Sequence, residues 1–428
     1  MHRILAGVLA LAACTARPTT PPPAADANTP VECSAAYLRA GDALTRQDYP
    51  AAVTALREII DQNPGDDAPA YLVAVALAAG GHKQDAARAL RRLAESGSTR
   101  VPQAHDFPGL DADTLRSLAA AAQANLPPPR STVAHTLAQA DLIPEGITHD
   151  PQTGRLFVGS TYRRKIVAVA QDGATRDLVA AGTIDAPLGM RVDVERRALW
   201  VATVAIPTME GYQPELRSRS SLLEIDVDSG AVRRTALRGR HGHLLNDLVL
   251  DRAGACFVTD SERGEVLRLD PGAQEFTVLV PAGELSYPNG LTLADDGRTL
   301  FVADFVRGLT SIDIASGTRT IIKHRPGMFT HGFDGLYTHR GALIGVDNGA
   351  GQGRVVRMQL SPGRDVVTRL DVLEAGHPAF RIPTTGTIVG DDLIYIANSQ
   401  IRSFTDNKIW PPEQLQPVVL LRLPLAGG

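Results

Sequence analysis

From residue 144 onward, short apolar runs alternate with polar turns in a pattern that recurs six times. The copies read PEGITHDPQTGRLFVGS from Pro144, PLGMRVDVERRALWVAT from Pro187, LNDLVLDRAGACFVTDS from Leu245, PNGLTLADDGRTLFVAD from Pro288, FDGLYTHRGALIGVDN from Phe333 and TTGTIVGDDLIYIANS from Thr384. In each, an apolar run of strand length meets a turn carrying Gly or Asp, and a second apolar run ends on a small or acidic residue. The second residues of the copies, Glu145, Leu188, Asn246, Asn289, Asp334 and Thr385, lie 43 to 58 residues apart. A period of this size built from short strands predicts the blades of a β-propeller, and six copies predict six blades. A third strand is expected in each blade, as over 222–226 or 310–314, and a fourth in most, as over 277–280. The sixth copy has only three, the last over 418–423, so 133–137 is expected to complete its blade and remove an exposed edge. Trp200, Phe257 and Phe301 recur at matching positions and read as core.

Upstream the period becomes helical. Tyr49, Ala52, Ala55 and Leu56 recur 34 residues later as Lys83, Ala86, Ala89 and Leu90, and Asn63-Pro64-Gly65-Asp66 supplies a turn between the two units. This stretch resembles a pair of tetratricopeptide repeats, with the amphipathic segment 113–126 capping the open end. Such a resemblance implies a site for a protein partner. The first residues combine Arg3, an apolar run from Ile4 to Leu11, and small residues before Cys14, too short to span a bilayer. Leu11-Ala12-Ala13-Cys14 resembles a bacterial lipobox, and Thr15 in place of Asp implies the periplasmic face of the outer membrane. The organisation expected is therefore a lipoprotein signal over 1–14 and a Pro/Thr-rich tether over 15–33. An α-helical domain over 34–126, a linker over 127–131 and an all-β six-bladed propeller over 132–428 follow.

Strand direction places Ser160, Thr203, Asp260, Asp304, Asn348 and Ser399 around the same mouth as the second-residue set. Two long insertions, 203–220 and 398–416, open there as well, and long loops of this kind commonly carry function. Radial symmetry should bring Glu145, Asn246, Asn289 and Asp334 together at the hub. Two carboxylates and two amide oxygens suit a hard divalent cation, whose charge makes burying the carboxylates tolerable. The competing explanation is turn chemistry, since Asn-Gly, Asp-Gly and Glu-Gly dipeptides form turns. Turn chemistry alone would not hold these residues in one register in four of six repeats.

Pro144-Glu145-Gly146, Asn246-Asp247, Pro288-Asn289-Gly290-Leu291 and Asp334-Gly335-Leu336, in that order at blade spacing, resemble the six-bladed gluconolactonase/regucalcin family over about two thirds of the chain. The paraoxonases are more distant relatives. The resemblance implies that Glu145, Asn289 and Asp334 bind one divalent cation, and that Asn246 serves the metal or the substrate. Ca²⁺ is the first expectation, with Mg²⁺, Mn²⁺ or Zn²⁺ as alternatives. It also implies that Asp334 is the base in lactone hydrolysis. Two departures stand out. Leu244 occupies the place of a sugar-acid-gripping Arg, and Pro187-Leu188-Gly189 lacks the paraoxonase His.

Histidines on mouth loops could substitute. His241, His243 and His331, with Asp304 and Asn348, are the substrate-mouth candidates, His377 leads into the sixth blade, and His149 is expected to line the channel. A net charge of −4 over 428 residues with few basic clusters gives no footprint for nucleic acid. Cys33 and Cys256 could pair in an oxidising compartment, although Cys256 sits in an apolar strand that suits a buried thiol. The expectation is a periplasmic, lipid-anchored hydrolase of lactones or carboxylic esters, touching the membrane only through its anchor. The rival expectation is a non-catalytic propeller scaffold whose helical repeats hold protein partners.

Overall fold

The computed structural model describes residues 32–349 and 352–426, so the signal, Cys14 and nearly all of the tether lie outside the described residues. The chain divides into two compact units. Among the described residues the first holds five α-helices, α1 (Glu32–Thr45), α2 (Tyr49–Gln62), α3 (Ala68–Ala79), α4 (Lys83–Glu95) and α5 (Ala112–Gln123). Helix α2 starts where Asp48 accepts a hydrogen bond from the Ala51 amide (3.1 Å), and Pro50 fits the first turn because its missing N–H has no helical partner there. Asp111 caps α5 in the same way, accepting from Thr114 N at 2.8 Å. Ala74, Ala78, Ala86, Leu90, Phe107 and Leu118 form the core, the small residues letting the helices approach closely. Helices α2 and α4 begin 34 residues apart, as the repeated alanines require, and the turn at Asn63 closes α2. This unit also takes in residues 324–332 and 349–352, with Thr330 N donating to Gly65 O (3.0 Å). No helix among the described residues is long and apolar enough to cross a membrane.

The second unit is a six-bladed β-propeller. Its inner strands are Pro144–His149, Ala186–Asp193, Leu245–Leu250, Pro288–Leu293, Phe333–His339 and Gly386–Val389, and each heads an antiparallel sheet. Blades one to four follow simple sequence order, whereas blade five gains a fifth strand from Lys323–His324 at its outer edge. Blade six runs, from outside inward, Thr132–Leu137, Val418–Pro424, Asp392–Ile396 and Gly386–Val389. The upstream strand thus completes the last blade as expected. Blades stack through apolar faces, as where Phe157 and Ile166 of blade one pack with Met190, Leu199 and Val201 of blade two. Trp200, Phe257 and Phe301 are all buried, in keeping with core positions. Cys256 is also buried, while the side chain of Cys33 lies outside the described residues.

Two features of the inner strands position the site. The first is a β-bulge at the same place in five of them, between Pro144 and Ile147, Pro187 and Met190, Leu245 and Leu248, Pro288 and Leu291, and Phe333 and Gly335. A bulge leaves a residue unpaired and re-aims its side chain. Here the re-aimed position is the second residue of each repeat. The second feature is the third residue, which is glycine in five repeats: Gly146, Gly189, Gly290, Gly335 and Gly386. A Cβ on Gly146 would sit 1.9 Å from Leu188 O, and one on Gly290 would sit 2.5 Å from Asp334 O, both on the neighbouring inner strand. Glycine is needed there for close backbone approach.

The register corrects one mouth assignment. Ser160, Thr203, Asp260 and Asp304 pair with the first residues of their repeats, but in blade five the partner of Phe333 is Asp347, not Asn348. Asn348 lies one residue beyond, equivalent to Thr161 and Ser261, and alternation turns its side chain differently from that of Asp347. Gly146→Ala should destabilise the propeller by roughly 2–4 kcal/mol in urea denaturation, because its Cβ meets backbone that cannot step aside. Val278→Ala, on an exposed outer strand, should stay within about 0.5 kcal/mol, and equal effects would contradict the packing argument.

Candidate metal centre

Three of the four second-residue side chains chosen from sequence form a connected cluster. Asp334 is buried and takes hydrogen bonds on both oxygens. Asn289 Nδ2 donates to Oδ1 at 2.6 Å, and Asn348 Nδ2 donates to Oδ2 at 2.5 Å. Half-buried Glu145, on blade one, senses the charge of Asp334 on blade five and also that of Asp247 on blade three. Burial, reinforced by these neighbours, holds the Glu145 carboxyl well above the usual carboxylate range. Burial likewise pushes Asp334 up to about 6, although the two asparagine amides oppose the shift by bonding the charged form. Asn246 donates to Ser261 Oγ at 2.9 Å, and that hydroxyl donates on to Pro288 O at 2.6 Å, linking blades three and four. In blade six, Thr385 Oγ1 donates to Glu145 O at 2.5 Å, which fixes the backbone beneath the Glu145 side chain.

Three further residues belong to this centre. Asp247 stands where the other five repeats have glycine; it is buried, and burial raises its pKa while the Arg191 guanidinium lowers it. Arg191 Nη2 reaches Asp247 Oδ2 at 3.4 Å, and its guanidinium lies 5.7 Å from the centroid of the Tyr337 ring. Tyr337 accepts a hydrogen bond from Gly386 N at 2.5 Å, and burial raises its pKa. The signal for Asp247 was available as the single break in the glycine column. Arg191 and Tyr337 share a register, three residues beyond the second position of their repeats, but the sequence does not show that their side chains meet.

The donor chemistry fits a divalent cation. Asp334 and Glu145 are acceptor-only when ionised, Asn246 and Asn289 keep amide oxygens, and among the described residues only Arg191 lies within ion-pair distance of Glu145, Asp247 or Asp334. Carboxylates buried with so little countercharge gain from a cation, since otherwise they must take up protons.

The other mouth candidates lie outside this cluster, Asn348 excepted. His241 is exposed and its Nδ1 lies 3.3 Å from Arg217 O. His243 Nδ1 pairs with Asp260 Oδ2 at 2.7 Å, and these two with Glu265 bring their ligand atoms within 4.8 Å of one another. Arg238 Nη2 already binds Glu265 Oε1 at 2.7 Å, and Leu244 N binds Asp260 Oδ1 at 2.9 Å, so protein donors satisfy this trio. Asp304 spends both oxygens on the amides of Ser286 (2.6 Å), Val306 (3.0 Å) and Arg307 (3.0 Å), and thereby organises its loop. His331 packs against Gly65 and His324 in the helical unit. His377 Nδ1 accepts from Ala379 N (3.1 Å) and shapes a turn, while half-buried His149 has its pKa lowered by burial.

Residues 143–339 match the family model of the SMP-30/Gluconolactonase/LRE-like region, so the resemblance read from PEG, ND, PNGL and DGL holds from blade one into the inner strand of blade five. Among solved structures, a gluconolactonase of Xanthomonas campestris is 18% identical at a TM-score of 0.45, with 68% of this chain and 88% of that one covered. The calcium-binding protein regucalcin of Agrobacterium tumefaciens is 16% identical at 0.46, covering 68% and 95%. A PQQ-bound aldose sugar dehydrogenase of Streptomyces coelicolor is 16% identical at 0.48, covering 69% and 99%. At these levels the likenesses add nothing to the chemistry. No curated protein sequence matches the chain.

Raised carboxyl pKa values fix the sign of a pH effect. An acid whose pKa is higher folded than unfolded favours the fold below its unfolded pKa, and that contribution is lost as pH rises through the folded value. For Asp334, rising from 3.8 to about 6, the loss amounts to about 3 kcal/mol by neutral pH when no cation is bound. In EDTA, the wild type should therefore lose stability relative to Asp334→Asn between pH 4 and pH 7, measured as the difference in urea midpoints. Parallel midpoints across that range would show that Asp334 is not buried as described.

Proposed function

We propose that the protein is a divalent-cation-dependent hydrolase of lactones or carboxylic esters. The supporting observation is the buried Asp334 carboxylate held by Asn289 and Asn348, with half-buried Glu145 of blade one sensing its charge. Glu145, Asn246, Asn289 and Asp334 would hold the ion, with Ca²⁺ the first expectation and Mg²⁺, Mn²⁺ or Zn²⁺ the alternatives. The ion would supply Lewis-acid polarisation of the ester carbonyl and balance the charge of the carboxylates.

Asp334 acts as the general base. It is placed to accept the proton of an attacking water. Asn289 and Asn348 hold its carboxylate plane fixed, so the accepting oxygen is pre-aimed. Water attack needs no serine nucleophile, in keeping with a chain that lacks a G-x-S-x-G motif. The helical unit is read as a tetratricopeptide-like pair for a protein partner. Cys14 is read as a lipid-bearing residue that anchors the protein on the periplasmic side of the outer membrane.

The reading is tested with a panel of lactones and aryl esters. Asp334→Ala and Glu145→Ala should each lower kcat/KM by at least roughly 100-fold while circular dichroism retains the propeller signal, and EDTA should abolish wild-type turnover. Turnover that persists in EDTA would remove the metal-dependent mechanism.

A further inference from the structure

Resting on the metal reading above, we infer that Arg191 is a built-in countercharge that sets the centre to hold one divalent cation. The three carboxylates of Glu145, Asp247 and Asp334 carry −3 when ionised, and Arg191 brings the group to −2. One divalent ion then neutralises it. Asp247 is the residue through which this works. It breaks a glycine column, and a Cβ on Gly189 would lie 2.6 Å from both its Cα and its Oδ1, so backbone holds it against the neighbouring strand.

Arg191 is held without being saturated. Nη1 donates to Met190 O on its own strand at 2.7 Å, the ring of Tyr337 lies 5.7 Å from its guanidinium carbon, and Nη2 meets Asp247 at 3.4 Å, long for an ion pair. Asp247 Oδ1 is taken by Leu248 N at 2.8 Å. A bidentate clamp, the usual structural use of arginine with a carboxylate, is absent from this pair. The geometry instead suits a fixed positive charge beside the acid group, at 19% side-chain exposure. Removing that charge should strengthen cation binding, whereas removing a merely structural arginine should weaken it by loosening Asp247.

Calorimetric titration of the full chain with Mn²⁺ at pH 8 separates the two. Asp247→Asn should weaken binding roughly tenfold or more, Arg191→Met should tighten it by a similar factor, and Arg191→Lys should leave it near the wild type. The double variant Arg191→Met/Asp247→Asn restores the −2 count and should return close to wild-type affinity. Weaker or unchanged binding in Arg191→Met with an intact fold would overturn the inference. If Arg191→Met does not fold, a double variant as weak as Asp247→Asn alone would overturn it equally. A wild type that takes up no Mn²⁺ would instead sink the metal reading itself.

Discussion

The structure of the propeller turns on how closely its six inner strands approach one another. Each inner strand touches the next, and the sixth returns to the first through Thr384 and Thr385 on the Glu145 carbonyl. Third-position glycines permit that approach, since a Cβ on Gly146 would collide with Leu188 O. The bulges beside them turn the second residues away from the regular pleat. Side chains far apart in sequence therefore have to share the hub, whatever their chemistry.

That constraint gives the hub its electrostatic character. Burial raises Glu145, Asp247 and Asp334 together, and hydrogen bonds from Asn289 and Asn348 offset only part of the shift at Asp334. Such a group is unstable as a set of bare anions and stable with protons or a cation. Asp150 behaves in the opposite way. Asp150, held by Arg197 and Thr153, has its pKa lowered to about 2 despite the desolvation that opposes this. The difference separates the hub, where burial outweighs the available countercharge, from the ion-paired Asp150.

Much of this was legible from the repeats. Period, blade count, the closing strand expected over 133–137 and the register of Glu145, Asn246, Asn289 and Asp334 all follow from aligning six copies by their apolar runs. What the alignment hid depends on bulges and on loop packing. Asn348 stands one residue beyond the ring position that Asp347 occupies, a step set by strand pairing in blade five. Asp247 follows an asparagine in the same motif and is the one non-glycine at its position. Arg191 acts through a side chain whose direction is set by its hydrogen bond to Met190 O, the Tyr337 ring and its reach to Asp247. His331 joins the helical unit through Gly65, a contact over more than 260 residues of sequence that no local pattern encodes.

The most direct measurement is anomalous diffraction from Mn²⁺-soaked crystals at the manganese edge. The account predicts a single strong peak bounded by Glu145, Asn289 and Asp334. A peak only at His243, Asp260 and Glu265, or an empty hub at saturating Mn²⁺, would contradict it.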